Sequence, residues 1–163
     1  MALFVHTCEK KKPSLLSRII RKSGNPRTTH SALRMRYGLT TFIYEAQRRG
    51  VYPKSVLTWQ QNFNYKYRTF EVTGVDMDVV FEILMKYSGY KYGVLDLPRH
   101  WFYHKTGLWL GINKEHKRVV CSEIVMLVLE DLGVYNGENT HRMTPEGVLE
   151  YCETYLKEVK SPL

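Results

Sequence analysis

The stretch CSEIVMLVLEDLG, residues 121–133, constrains the fold more than any other part of the chain. Ile124, Val125, Val128 and Leu132 recur at helical spacing and form one apolar stripe, and Gly133 supplies a stop. A helix with such a stripe has to lay it on another apolar layer. A second helix is predicted over TPEGVLEYCETYLKEV, residues 144–159, with Thr144 as N-cap and Pro145 at the first helical position. DMDVVFEILMKY, residues 76–87, reads as a third, with Val79, Val80, Ile83 and Leu84 apolar and acidic residues in its first turn. PSLLSRIIRK, residues 13–22, reads as a fourth, with Pro13 near its start and Leu15, Leu16, Ile19 and Ile20 on one side.

The opposing layer is predicted to be strands. TTHSALRMR (28–36) and LTTFIYEAQ (39–47) read as two strands joined at Tyr37-Gly38, and ALFVH (2–6) is a short apolar run. Gly50 and Pro53 break the pattern in RRGVYPKSV, and residues 55–73 look largely extended, with alternating aromatics in FNYKYRTFEV. Helices at both ends around a strand-rich interior indicate an α+β fold. At 163 residues the chain suits one domain, 1–163, and is long enough to bury roughly 70% of its unfolded surface. It divides into a basic N-terminal segment, 1–27, and a core, 28–160; no repeat or linker splits it further.

The net charge of +8 is concentrated at one end. Residues 1–36 carry nine Lys and Arg against one acid, Glu9, and the rest of the chain balances. Residues 10–36 could therefore meet an anionic polymer or surface through an attraction that weakens with salt, although a solvated basic face is the plainer reading. No apolar run reaches the roughly 18 residues of a membrane span, and the first twelve residues lack a signal-peptide layout. A cytoplasmic or virion-associated protein is the simplest expectation.

The three cysteines, Cys8, Cys121 and Cys152, have neither the spacing of a zinc site nor the number of a disulfide framework. Cys121 opens the strongest helix, where unpaired backbone N–H groups and the helix dipole stabilise a thiolate and could receive an oxyanion. Its alternative is a plain buried thiol, since it lies in register with the apolar stripe. Cys8 abuts a lysine run and Cys152 falls within a helix, so both have weaker claims.

A two- or four-residue turn at Tyr37-Gly38 would place His30 directly across from Glu45 on the same face of the hairpin. A carboxylate there would accept a hydrogen bond from the imidazole, fix its tautomer and favour its protonated form. A three-residue turn would send Glu45 to the other face. Two further histidines, His100 and His104 in HWFYH, would share a helix face and could bind a metal, but no carboxylate or cysteine completes the set nearby. Surface or aromatic-cluster positions suit them and His116 better, while Trp101 and Tyr103 could wall a groove or serve packing.

Taken together, THSALR, FIYEA, VVCSEIVMLVLEDLGV and TPEGVLEY resemble the circularly permuted NlpC-like papain-fold hydrolases of the YiiX/YaeF type, over about residues 25–150. The resemblance implies a permuted papain-like α+β fold, an antiparallel sheet packed against helices. It implies Cys121 as nucleophile, His30 as general base and then acid, and Glu45 as the group orienting the imidazole. A cysteine-dependent hydrolase or acyltransferase acting on an amide or ester bond, without a cofactor, follows as the expected activity. A non-catalytic binding or structural module on the same fold, attached through its basic segment, is the alternative.

Overall fold

The computed structural model describes residues 1–10, 27–62, 65–93, 117–136 and 140–160 and the single positions 102, 106 and 108. The helix expected at 13–22, the His100–His104 pair, His116, Trp101 and Tyr103 lie outside the described residues.

The strands are β1 (Ala2–Lys10), β2 (His30–Tyr37), β3 (Thr40–Gln47), β4 (Gly50–Ser55), β5 (Tyr65–Val72), β6 (Lys91–Tyr92), β7 (Arg118–Val119) and β8 (Lys157–Val159). The helices are α1 (Val56–Asn62), α2 (Met77–Tyr87), α3 (Cys121–Asp131) and α4 (Pro145–Tyr155). Six strands make one antiparallel sheet in the order β4-β3-β2-β1-β5-β8, and β6 and β7 form a small parallel pair. The α+β architecture is the one expected from the sequence.

Alternation along the strands creates two unlike faces, because successive side chains point to opposite sides. Leu3 and Val5, Leu33 and Met35, Tyr44 and Ala46, and Phe70 and Val72 join Val80 and Leu84 of α2, Ile124, Val125, Val128 and Leu129 of α3, and Val148 and Leu149 of α4 in the main core. The apolar stripe of α3 therefore rests on the sheet, as its spacing requires. On the other face Cys8, Ala32 and Ile43 pack with Trp59 of α1. This second face also buries His6, Arg34 and Glu45. It is there that the fold carries its polar interior.

Four local expectations are corrected. Residues 56–62 are helical rather than extended, because a helical turn lays Trp59, 2% exposed, onto the sheet. β4 runs through Gly50 and Pro53; as an edge strand it needs no donor from proline on its outer side. α4 stops at Tyr155, and residues 157–159 pair with β5 through Thr69–Val159. Val79 is exposed, leaving Met77, Val80, Leu84 and Tyr87 as the buried positions of α2.

The helix ends follow the sequence more closely. Asp76 caps α2 by accepting from Asp78 N–H at 2.9 Å, and Thr144 caps α4 by accepting from Gly147 N–H at 3.1 Å. Gly133, with φ 68°, ends α3 in the left-handed region.

The hairpin register also differs from expectation. Tyr37 pairs with Thr40 and Leu33 with Tyr44, so the turn residues are Gly38 and Leu39. Gly38 has φ 61°, a conformation that favours glycine at that position. Extending this register sets Ala32, not His30, across from Glu45. The displacement is two residues, one full strand period, so His30 and Glu45 stay on the same face as diagonal neighbours.

Candidate functional site

His30, Glu45 and Cys121 come together at the end of β2. His30 Nε2 lies 2.5 Å from Glu45 Oε2, and the imidazole also hydrogen-bonds the Cys121 thiol. The pairing of β2 with β3 ends at Leu33–Tyr44; beyond it the backbone of Ser31 bonds the Cys121 sulfur. The backbone of Ser122 does the same from the first turn of α3. Backbone groups that stabilise a thiolate act as N–H donors, so the sulfur sits among two amide donors and a ring.

The first turn of α3 is fixed from several sides. Glu123 accepts from Val120 N–H at 3.3 Å, and its other oxygen meets His141 Nδ1. Ser122 Oγ donates to the Met143 carbonyl at 2.7 Å. These bonds tie the start of the helix to residues 140–143 and hold Cys121 at the first helical position.

Glu45 is 0% exposed and both its oxygens are occupied. Oε2 receives His30 and Trp59 Nε1, the latter at 3.1 Å, and Oε1 receives Gln47 Nε2 at 2.5 Å and Lys54 Nζ at 3.2 Å. A buried carboxylate surrounded by donors is held ionised. Burial opposes the charge, but His30 and Lys54 outweigh it and keep the Glu45 carboxyl below its ordinary range.

Behind this group, Trp59 stacks on His6 at 5.8 Å between centroids and meets Tyr67 edge-on. His6 in turn bonds Thr69, its direct partner on β5, with Nδ1 3.0 Å from Oγ1. Burial, with Arg34 nearby, pushes His6 down to about 3, so its ring is neutral.

The three thiols separate by environment. Burial opposes ionisation at Cys121, yet the His30 ring and the Ser31 and Ser122 backbone bonds bring its pKa below the ordinary thiol value. Burial likewise opposes charge on His30, and Cys121 and Glu45 override it, raising the ring to about 10. Cys152 is pushed up to about 12 by burial, and Cys8 well above its ordinary value by burial and by the neighbouring charges of Glu45 and Cys121. The arrangement thus favours charge on the Cys121–His30 pair and opposes it on the other two thiols.

Some neighbours of this group were not anticipated from the sequence. Gln47 lies two residues beyond Glu45 on β3, and Lys54 two beyond Tyr52, the direct partner of Glu45 on β4. Strand parity alone puts both on the face of Glu45, a signal that was available. Trp59 was hidden by reading its segment as a strand. Cys8, beside a lysine run in the sequence, lies directly across from His30 on β1. Tyr92 of β6 also stands close by: burial, Cys121 and Glu45 all raise the pKa of its hydroxyl.

The basic stretch 10–36 is altered by the fold where it is described. Arg27 pairs with Glu146 at 2.6 Å and Glu153 at 2.9 Å, and Arg34 is buried, while Arg36 is exposed. Positions 11–26 lie outside the described residues. Among the described residues no group of three or more His, Cys, Asp and Glu side chains is arranged to hold a metal ion, and no helix is long and apolar enough to cross a membrane.

No protein-family model matches the chain, and no curated protein sequence does. Among solved structures the chain is similar to the metalloprotein YiiX from Escherichia coli O157:H7, at 15% identity and a TM-score of 0.54. The match covers 98% of this chain and 96% of that one. At that identity the likeness concerns the fold, and the fold of this chain is YiiX-like.

Proposed function

We propose that the protein is a cysteine-dependent hydrolase or acyltransferase acting on an amide or ester bond. The observation that carries this reading is the divergence of the three thiols. Of the three thiols Cys121 alone has a pKa below its ordinary value, and its sulfur hydrogen-bonds a histidine that is itself bonded to a buried carboxylate. That is the chemistry a nucleophile requires: a charged sulfur, a nearby proton donor, and a fixed group that stabilises the imidazolium.

The Cys121 thiolate attacks the carbonyl carbon, and the tetrahedral intermediate collapses to a thioester as His30 protonates the departing amine or alcohol. His30 then takes a proton from water or another acceptor nucleophile, which attacks the thioester and releases Cys121. Glu45 holds the ring in place and remains ionised. The sequence resemblance to permuted NlpC-like papain-fold hydrolases supports the same three roles. Contact of the basic stretch with an anionic polymer would draw on Arg36 and on positions 11–26, with little from Arg27 or Arg34.

Iodoacetamide labelling at pH 6, read by peptide mapping of each cysteine, tests the reading. Cys121 should react fastest by at least about tenfold, since it is the one thiol of the three whose pKa is drawn below the ordinary value. A Cys121 no faster than Cys152 would overturn the assignment.

A further inference from the structure

Hydroxyl groups in the interior of this protein are generally satisfied. Thr28 Oγ1 donates to the Cys8 carbonyl at 2.8 Å, Thr69 bonds His6, Ser122 bonds Met143, and Thr140 donates to Glu130 at 2.6 Å. Among the described residues two buried hydroxyls have no hydrogen-bond partner: Thr29 Oγ1 and Ser31 Oγ. They flank His30. A buried polar group left unpaired costs about 1–3 kcal/mol, and the fold carries that cost twice beside the candidate base.

Ser31 is the better placed of the two. It is 0% exposed, and its own backbone bonds the Cys121 sulfur. The hydroxyl thus belongs to the same residue whose backbone meets the sulfur, and strand alternation puts its side chain on the Leu33–Met35 side of β2, the side on which α3 packs. Three of the nearby backbone donors are engaged: those of Ser31 and Ser122 serve the sulfur, and that of Val120 is taken by Glu123, so Ser31 Oγ would act beside the Cys121 N–H at the start of α3. Among the described residues the Ser31 O–H has no competing acceptor.

We propose that the Ser31 hydroxyl donates to the oxyanion formed when Cys121 adds to an acyl carbonyl. The proposal rests on the hydrolase or acyltransferase reading and adds a catalytic donor to it. In the addition step the sulfur lone pair forms the S–C bond while the carbonyl π pair moves onto oxygen. Ser31 stabilises that charge until the pair returns and the leaving group departs with its bonding electrons.

Two small probes isolate the step. p-Nitrophenyl acetate acylates the thiolate through a tetrahedral oxyanion and releases p-nitrophenolate, which needs no proton; iodoacetamide alkylates the same thiolate by displacement at saturated carbon, with no oxyanion. With the full chain, both rates at Cys121 are followed by intact mass and peptide mapping at one pH. Ser31→Ala should slow acylation about 100-fold, the usual cost of losing one oxyanion donor, and leave alkylation within about twofold. It should also leave the melting temperature unchanged or higher, because an unpaired buried hydroxyl has been removed. Ser31→Thr, which keeps the hydroxyl, should acylate within a few-fold of the parent.

Equal acylation in parent and Ser31→Ala, or acylation and alkylation slowed together, overturns the Ser31 role while leaving Cys121 as nucleophile. A parent Cys121 that reacts with neither probe faster than Cys152 overturns the nucleophile reading and the Ser31 role with it.

Discussion

Replacing Glu45 by glutamine removes one charge without changing shape, and the surroundings of that carboxylate set the cost. Two donors meet each oxygen: His30 and Trp59 on one, Gln47 and Lys54 on the other. Glutamine can keep one pair through its carbonyl, while its NH2 must face the other. The favourable orientation keeps His30 and Trp59, since Lys54 is partly exposed and can turn to water and the Gln47 amide can rotate. The charge-assisted part of these bonds is lost, and a buried imidazolium loses its counter-ion. Hydrogen bonds to charged groups contribute about 1.5–3 kcal/mol each, and breaking a buried ion pair costs about 3–5 kcal/mol. Glu45→Gln should therefore lower the unfolding free energy by about 3 kcal/mol, measured by urea denaturation with an unchanged m value. The same substitution withdraws support from the His30 charge and lets the Cys121 pKa climb towards its ordinary value. Alkylation of Cys121 at pH 7 should then slow by about 10- to 100-fold as the thiolate fraction falls. A variant as stable as the parent, or one with unchanged Cys121 alkylation, would refute the role given to this carboxylate.

Acid sensitivity should be traceable to His6. Its folded pKa lies far below the unfolded value of 6.5, so the neutral ring contributes stability that is complete above pH 6.5 and lost as pH falls towards about 3. At about 1.4 kcal/mol per pH unit, that span amounts to about 5 kcal/mol. His6→Gln should flatten the fall in urea midpoint between pH 7 and pH 4, and parallel pH profiles would count against burial of a neutral ring. Gly50→Ala should lower the melting temperature by about 4–8 °C, the equivalent of about 2 kcal/mol in a chain of this size. Gly50 has φ 109°, and an added Cβ would stand 2.7 Å from the Tyr90 carbonyl oxygen; a melting temperature within about one degree of the parent would contradict that close approach.

The main outline of the site was written in side-chain periodicity. Cys121 at a helix start follows from the stripe of Ile124, Val125 and Val128 and from the N-terminal position of the cysteine. His30 and Glu45 share a face because their register is displaced by an even number of residues, although the expected direct opposition became a diagonal. The turn was misplaced because glycine was read as its second residue, whereas Gly38 is its first, the position that needs a positive φ. Trp59 escaped for a different reason. Seven residues make too short a window for helical periodicity to show, and the force that curls 56–62 is tertiary: a large indole to bury and a carboxylate to receive its N–H. Likewise the end of α4 depends on pairing with β5, a strand more than eighty positions earlier, through Thr69 and Val159. No local signal at Leu156 announces it.

The wide separation of the site residues along the chain has a consequence for biosynthesis. His30 and Glu45 emerge early and can pair as soon as the β2–β3 hairpin closes, whereas Cys121 follows 76 positions after Glu45. Until α3 docks, its sulfur has neither the His30 charge nor the Ser31 backbone beside it, and it titrates as an ordinary cysteine. On the ribosome the growing polypeptide therefore carries a sluggish thiol, and reactivity arises only when folding has closed the longest connection in the site. The protein's own topology withholds the groups that lower the Cys121 pKa until folding brings them together.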